Sequence, residues 1–278
     1  MTDTAVDLSA YLARIDHARP VTPTLATLNS VVAAHLRHIP FENIDPLMGV
    51  PVEHLDATSL QDKLVARGRG GYCYEQNGLM RHVLHTIGFD VDLLAGRVVW
   101  GRERGGPLPA ETHQLLAVRV PDDPQTYLVD VGFGGQTPST AMLLVLNDEQ
   151  PTDLEPFRIT AGEYGFLTME SFVGGKWRPI YLFTMNPRAD IDSVVSSWYV
   201  STHPGHPFGT GLSASIIDDG ERWNLRGRNL TVHHVDGQSD KRTFDTAAEV
   251  LDLLTERYGI DHSGITGLEA RVAEVLDT

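Results

Sequence analysis

The first 88 residues carry apolar side chains at the three- and four-residue spacing of amphipathic helices. This pattern predicts four helices, at about 8–15, 25–36, 59–66 and 75–87. Pro40 ends the second helix, because proline cannot donate a helical hydrogen bond, and Gly88 supplies a left-handed stop for the fourth. The N-terminal third of the chain is therefore predicted to be a helical bundle.

From Val91 the pattern changes to short runs rich in β-branched and aromatic residues, separated by turn residues. The predicted strands are Leu93–Trp100, Thr112–Val120, Tyr127–Phe133, Met142–Leu146, Phe166–Phe172 and Trp177–Phe183. Because short turns join most consecutive strands, the pattern predicts an antiparallel sheet or a small barrel.

After Pro187 helical and strand patterns are mixed. Helices are predicted near Ile191–Tyr199, Thr246–Tyr258 and Gly267–Leu276, and strands near Leu212–Ile217 and Leu230–His234. The predicted class is α+β in three segments: a helical bundle at 1–88, a β-rich segment at 89–187 and a mixed segment at 188–278.

Composition narrows the functional classes. The chain has 278 residues, of which 41% are hydrophobic, enough to bury a substantial core. A net charge of -15 argues against nucleic acid or an anionic membrane as the main partner. The single cysteine excludes an internal disulfide framework and suits a reducing compartment. With an acidic N-terminus and no apolar run of membrane-spanning length, the sequence predicts a cytoplasmic protein.

That one cysteine lies in the stretch Arg69-Gly70-Gly71-Tyr72-Cys73, which leads directly into the fourth predicted helix. At a helix start, free N–H groups and the helix dipole favour a thiolate over a thiol, as a nucleophile requires. A lone cysteine is equally often a small, inert core residue. Its position alone leaves both interpretations open.

A thiol nucleophile needs a base and a group that orients the base. His113 opens one predicted strand, and Asp130 lies in the apolar run of the next. A hairpin centred between Pro121 and Asp122 would place these two side chains directly opposite each other. The alternatives are a strand-end histidine bonded to backbone and a carboxylate that caps the loop 132–135.

Four segments together resemble a known family. Arg69–Cys73, Thr112–Leu116 and Val129–Gly134 look like the three signature segments of the arylamine N-acetyltransferases, and Pro40–Asn43 is similar to a fourth. The resemblance spans nearly the whole chain and is closest to the actinobacterial type. It implies a helical bundle, a β-barrel and an α/β lid, with a cysteine-protease-like core formed by the first two.

The resemblance also implies the chemistry. Acetyl-CoA would be the acyl donor, no metal would be needed, and a Cys73–His113–Asp130 triad would pass the acetyl group through Cys73 to arylamines, arylhydrazines or N-hydroxyarylamines. The implied acceptor pocket is Phe41, Tyr74, Val98, Phe133 and Phe208. The implied coenzyme A contacts are Thr112, Gly132, Gly134, Gly135 and His233, with His203 and His206 as further candidates. Glu42 and Arg69 resemble an ion pair that braces the active-site loop.

Three other functions remain open at this stage. A papain- or transglutaminase-like hydrolase would use the same residues but give the acyl group to water or a protein amine. A ligand-binding protein would hold an inert thiol. A metal hydrolase could draw only on His203-Pro204-Gly205-His206 and His233-His234, and without HExxH or paired cysteines it ranks last. The sequence does not fix the oligomeric state, and a homodimer is one possibility.

Overall fold

A computed structural model describes residues 6–103 and 105–277, so the residues before Val6 that entered the prediction of localisation lie outside it. The helices are α1 Leu8–Arg14, α2 Leu25–His38, α3 Ile44–Leu47, α4 Ala57–Gln61, α5 Cys73–Ile87, α6 Asp190–Thr202, α7 Ala247–Glu256 and α8 Leu268–Glu274, with a π-helical turn at Asp62–Ala66. The strands are β1 Phe41–Glu42, β2 Asp90–Val98, β3 His113–Arg119, β4 Thr126–Val129, β5 Met142–Leu143, β6 Phe157–Ala161, β7 Leu167–Val173, β8 Lys176–Phe183, β9 Ser213–Asp218, β10 Glu221–Arg226, β11 Asn229–His234 and β12 Ser239–Thr243.

Seven strands form an antiparallel sheet in the order β5-β4-β3-β2-β8-β7-β6, which curls into a nearly closed barrel. Gln150 joins the two edge strands. Its backbone exchanges hydrogen bonds of 2.8 and 2.9 Å with Phe157 of β6, and its side-chain amide bonds both the N–H and the carbonyl of Leu143 in β5. Together with the Asn147 N–H bond to the Ile159 carbonyl at 2.7 Å, these contacts close the seam between β5 and β6.

Strand β3 is buried on both faces, which explains its apolar run without alternation. Leu116 and Val118 pack against the helices, whereas Leu115 and Ala117 face the barrel interior. His113 shares the parity of this second pair, so the strand directs its imidazole towards the interior end of the barrel.

The hairpin β3–β4 has a different register from the predicted one. Leu116 pairs with Val129 and Arg119 with Thr126, so the turn is centred between Asp122 and Asp123 rather than one residue earlier. Asp122 adopts a positive φ of 62°, which this turn needs. The prediction of direct opposition between His113 and Asp130 is therefore wrong by two residues. An offset of two keeps both side chains on one face.

The second sheet has the order β1-β9-β10-β11-β12. Helices α7 and α8 cover it, and its core includes Leu225, Val250 and Leu254. Strand β1 comes from the N-terminal segment, yet it pairs with β9, with Phe41 opposite Ser215. This pairing ties the first segment to the third directly beside the loop that precedes Cys73.

The α+β class with a helical bundle, an antiparallel barrel and an α/β C-terminal region is confirmed. The division at residues 88 and 187 stays a prediction. Strands β1, β6, β10 and β12 were not predicted, and the strand predicted at Met142–Leu146 stops at Leu143. The strand predicted at Tyr127–Phe133 stops at Val129, because the next carboxylate, Asp130, accepts the N–H of Gly132 and turns the chain.

Candidate active site

Cys73 is the first residue of α5, two residues before the predicted helix start. Tyr72 precedes it in extended conformation, and the Glu75 side chain accepts the Tyr72 N–H at 3.2 Å. This bond from the Glu75 side chain back to the N-cap backbone fixes the first turn, while the Tyr72 hydroxyl bonds Ser197 instead of the helix. The thiol therefore lies at the positive end of a 15-residue helix.

The cysteine is 5% exposed and packs in a small cluster that includes Phe41, Tyr72, Tyr74 and, at its edge, Phe208. Its Sγ lies 3.7 Å from the backbone carbonyl of Thr112, the residue before His113. Burial, followed by the nearby Cys73, raises the pKa of Tyr74, which stays a neutral phenol. The sulfur thus occupies an aromatic pocket with a polar wall on the β3 side.

That wall is the buried pair formed by His113 and Asp130. His113 Nε2 lies 2.7 Å from Asp130 Oδ2. Asp130 Oδ1 accepts the N–H of Gly132 at 2.9 Å and the Asn77 side-chain amide at 3.0 Å. Both carboxylate oxygens are hydrogen-bonded, so the aspartate holds the imidazole in one orientation. The other ring nitrogen, Nδ1, makes no contact with this carboxylate.

The electrostatics favour a charged imidazole. Burial opposes the charge on His113, but the Asp130 carboxylate, followed by Cys73, outweighs it and raises the pKa of His113 to about 10. Burial likewise opposes the charge on Asp130, yet His113, Asn77 and the N–H of Gly132 keep the pKa of the carboxyl below its ordinary value. At neutral pH the pair is an imidazolium–carboxylate, which can stabilise a neighbouring thiolate.

Aromatic rings enclose the histidine. Phe133 meets it edge-on, with ring centroids 5.4 Å apart, and the Tyr181 ring lies at 4.8 Å. Burial, with a contribution from Asp130, raises the pKa of Tyr181. Rings on these sides keep water away from the imidazole and strengthen its interaction with the carboxylate.

The five residues of the implied acceptor pocket lie in three places: in the cysteine cluster, beside His113 and at the rim. Phe41 and Phe208 meet edge-on at 5.9 Å in the cysteine cluster, to which Tyr74 also belongs. Phe133 lies on the histidine side. Val98, at the end of β2, is 36% exposed and pairs in register with Tyr181, so it lies at the rim.

The glycine-rich loop after Asp130 also has a structural role. A Cβ at Gly132 would lie 2.6 Å from the Cα of Cys73, so only glycine allows this approach to the helix start. Gly132 donates its only N–H to Asp130, so any contact it makes with coenzyme A would not use that N–H. The carbonyls of Gly134 and Gly135 accept from Ser215 and Asn224, which fixes the loop to the second sheet.

Of the candidate histidines of the third segment, His206 packs edge-on against Phe208 of the cysteine cluster, with ring centroids 4.8 Å apart. His233 is on β11, where its Nδ1 lies 2.8 Å from Ser239 Oγ. His203 and His206 each accept a nearby backbone N–H, from Gly205 and from Phe208. In residues 6–103 and 105–277 no group of three or more His, Cys, Asp or Glu side chains has an arrangement that could hold a metal ion.

Two residues of the site carried no signal in the sequence reasoning. Asn77 lies one helical turn after Cys73, and its amide bonds Gln114, Asp130 and Val131, which links α5 to both strands. Only its spacing of four from the cysteine could have indicated it. Tyr181 sits in an apolar strand, and nothing there distinguishes it from core packing.

The fold and the site define a class: proteins in which a cysteine at a helix N-terminus meets a buried histidine–aspartate pair from a β-barrel. A family model described as N-acetyltransferase matches residues 24–265. An arylamine N-acetyltransferase of Mycolicibacterium smegmatis is 52% identical over 99% of this chain and all of its own length. One from Mycobacterium tuberculosis is 48% identical over 98% of this chain and 96% of its own. The chain belongs to the arylamine N-acetyltransferase family.

Solved structures agree. The M. smegmatis arylamine N-acetyltransferase superposes with a TM-score of 0.95 at 52% identity, covering 99% of this chain and 100% of that one. The Mycobacterium marinum arylamine N-acetyltransferase in complex with CoA gives a TM-score of 0.94 at 47% identity, covering 97% and 99%. No helix in the described part of the chain is both long and apolar enough to cross a membrane.

Proposed function

We propose that the protein transfers acetyl from acetyl-CoA to arylamines, arylhydrazines or N-hydroxyarylamines by a ping-pong mechanism, through an acetyl-Cys73 intermediate. The buried contact of 2.7 Å between His113 and Asp130, beside a cysteine at a helix start, carries this proposal. Family membership supports the reaction type, and the proposal adds the roles of the three residues as a catalytic triad.

In the first half-reaction the Cys73 thiolate attacks the thioester carbonyl of acetyl-CoA. The tetrahedral adduct then breaks its bond to the CoA sulfur, which leaves as a thiol after taking the proton of the His113 imidazolium. The acetyl group remains on Cys73 and the imidazole is neutral. Asp130 keeps the ring oriented in both charge states.

In the second half-reaction the amine nitrogen attacks the acetyl-Cys73 carbonyl. The neutral His113 accepts the proton that the nitrogen loses, and the cysteine leaves as a thiolate. The ion pair is thereby restored and the protons balance over the cycle. Backbone N–H groups at the start of α5, beside the sulfur, are the candidate donors to the oxyanion in both steps.

The substrates would approach from two sides. An aromatic acceptor fits among Phe41, Tyr74 and Phe208 on the cysteine side and Phe133 on the histidine side, with Val98 at the rim, because a flat apolar ring binds best between aromatic side chains. Coenzyme A is proposed to contact Thr112, Gly132, Gly134, Gly135 and His233. The CoA complex of the M. marinum protein supports coenzyme A as a ligand of this fold.

The test is to incubate the protein with acetyl-CoA and an aniline and to measure free CoA thiol and acetylated amine. Without amine, intact-protein mass spectrometry should show one added acetyl group, absent in a Cys73→Ala variant. A Cys73→Ala variant that transfers acetyl at the normal rate would refute the proposal. An acyl-enzyme that disappears equally fast without amine would favour the hydrolase instead.

We also propose a compartment, a role for the C-terminal region and an oligomeric state. A single free thiol supports action in a reducing cytoplasm, on aromatic amines that include xenobiotic ones. The C-terminal region after residue 187 is proposed as a lid over the cleft. A homodimer is proposed as an alternative to a monomer, and sedimentation velocity distinguishes the two.

A further inference from the structure

A cluster of five charged side chains lies under the segment that leads into Cys73. Its members are Glu42, Asp45, Lys63, Arg69 and Glu75. The Glu42–Arg69 pair within it, with atoms 2.7 Å apart, is the one anticipated from sequence. The Lys63–Glu75 pair has no part in the reaction described above, although Lys63 is only 6% exposed and Glu75 only 2%. Burying two such groups is costly, so the pair calls for an explanation.

The pair connects directly to the start of α5. Lys63 Nζ lies 2.5 Å from Glu75 Oε1 and 2.7 Å from Asp45 Oδ2. The other Glu75 oxygen, Oε2, accepts the N–H of Tyr72, the residue immediately before the cysteine. A single carboxylate therefore joins the Lys63 ammonium to the backbone that positions Cys73.

The packing around that carboxylate leaves little room for movement. A Cβ placed on Gly71 would lie 2.6 Å from Glu75 Oε2, so the loop runs against the carboxylate itself. A displaced Glu75 would displace Tyr72 and with it the first residue of the helix. Lys63 limits such displacement, because it holds the carboxylate from the opposite side.

The charge of Glu75 matters as much as its position. It lies two residues from Cys73, and a negative charge there opposes a thiolate. Burial raises the pKa of Glu75, whereas the attraction of Lys63 lowers it. The repulsion of Asp45 and Glu42 raises it further, and the resulting pKa is about 7. Tyr72 also faces this carboxylate, and the groups that face the thiol itself are His113, Tyr72 and Tyr74.

We propose that Lys63 is a positioning residue for the Cys73 thiolate: it anchors Glu75 against the backbone before the cysteine, and its positive charge offsets that of the carboxylate near the sulfur. The inference rests on the proposed function only for the use of the thiolate. Lys63 touches no reacting atom and acts through Glu75.

The test is the rate of Cys73 alkylation by iodoacetamide as a function of pH, which reports the thiolate without any substrate. In Lys63→Met we expect the profile to move to higher pH, with about tenfold slower alkylation on its acidic side, because one positive charge near the thiolate is lost. Glu75 adds no negative charge there, because the loss of Lys63 raises its pKa above about 7 and the buried carboxyl binds a proton. In Glu75→Gln we expect unchanged or faster alkylation, since the amide oxygen still accepts the Tyr72 N–H and the adjacent negative charge is gone.

The double variant Lys63→Met/Glu75→Gln should alkylate within about threefold of Lys63→Met, because Glu75 is already neutral once Lys63 is gone. Arg158→Met, which removes the cation of the Arg158–Glu170 ion pair on the barrel, is the control and should leave the profile unchanged. A purely structural role predicts slower alkylation in both single variants, including Glu75→Gln, and a further loss in the double variant.

Two results overturn the inference: a folded Lys63→Met with the parental profile, or slowing in Glu75→Gln equal to that in Lys63→Met. If Lys63→Met does not fold, Glu75→Gln and the double variant still decide by the direction of their change. Failure of the proposed function is separate, since it would show as parental protein that alkylates readily but forms no acetylated amine.

Discussion

Asp130→Asn removes one charge from the site while keeping the shape of the side chain. The carboxylate is 2.7 Å from His113 and is the first of the attractions that keep the buried imidazole charged. The pKa of His113 is about 10 rather than 6.5. At 1.36 kcal/mol per pKa unit, this difference corresponds to roughly 5 kcal/mol, most of which depends on Asp130.

Without that charge only burial and the thiol act on the ring, so we expect the imidazole to be neutral at pH 7. The resting ion pair would be lost, and if about 4 of the roughly 5 kcal/mol depends on Asp130, the loss corresponds to about a thousandfold in rate. We therefore expect single-turnover acylation of Cys73 by acetyl-CoA, followed as release of CoA thiol, to slow by about a hundredfold to a thousandfold.

Asp123→Asn is the matched control. Asp123 precedes β4 and bonds the Tyr127 hydroxyl and the N–H of Gln125, away from the thiol cluster. It should acylate at the parental rate. A folded Asp130→Asn protein that acylates within about fivefold of the parent would refute the electrostatic role given to Asp130, and with it the triad.

Three further outcomes are expected. Gly132→Ala should lower the free energy of unfolding by about 1–3 kcal/mol and reduce acylation, because its Cβ would lie 2.6 Å from Cys73 Cα, whereas Gly135→Ala, with its nearest contact at 3.4 Å, should be milder in urea unfolding. Phe208→Ala should raise the KM for the aromatic amine while leaving the acylation rate within about threefold, as steady-state kinetics with varied acceptor would show; an unchanged acceptor KM contradicts the pocket. His35, buried with a pKa lowered to about 4 from 6.5, binds fewer protons in the folded than in the unfolded chain, so stability should be complete above pH 6.5 and fall towards pH 4. Its contribution is up to about 3 kcal/mol, and the fall should be shallower in His35→Gln.

Much of the fold was predictable because strong patterns specified it. The apolar stripe of α5 and the stop at Gly88 fixed that helix to within two residues at its start. The start itself depends on the Glu75 side chain returning to the Tyr72 backbone, a contact that apolar periodicity does not reveal. The missed strand β12 is fully exposed along Ser239–Thr243, so it has no apolar face to detect.

The sequence predicted which residues form the site more accurately than how they are arranged. The parity of β3 and β4 placed His113 and Asp130 on one face, although the strand pairing differs by two residues from the predicted register. Parity is set by the pleat, whereas register depends on a turn whose Asp122 takes a positive φ that several neighbouring residues could have adopted. Tyr181 could not be predicted, because β8 joins β2 through a long connection that no local pattern specifies.

The seam at Gln150 also protects the protein against aggregation at high protein concentration. A barrel left open there would expose two rows of unpaired amides, the template on which another chain can add a strand. The Gln150 side-chain amide makes the two hydrogen bonds to Leu143 that a peptide group of a neighbouring strand would make, so these backbone groups are already paired. The outermost strand of the other sheet, β12, instead presents Asp240, Lys241 and Arg242, and such charges discourage a neighbouring molecule from pairing with it.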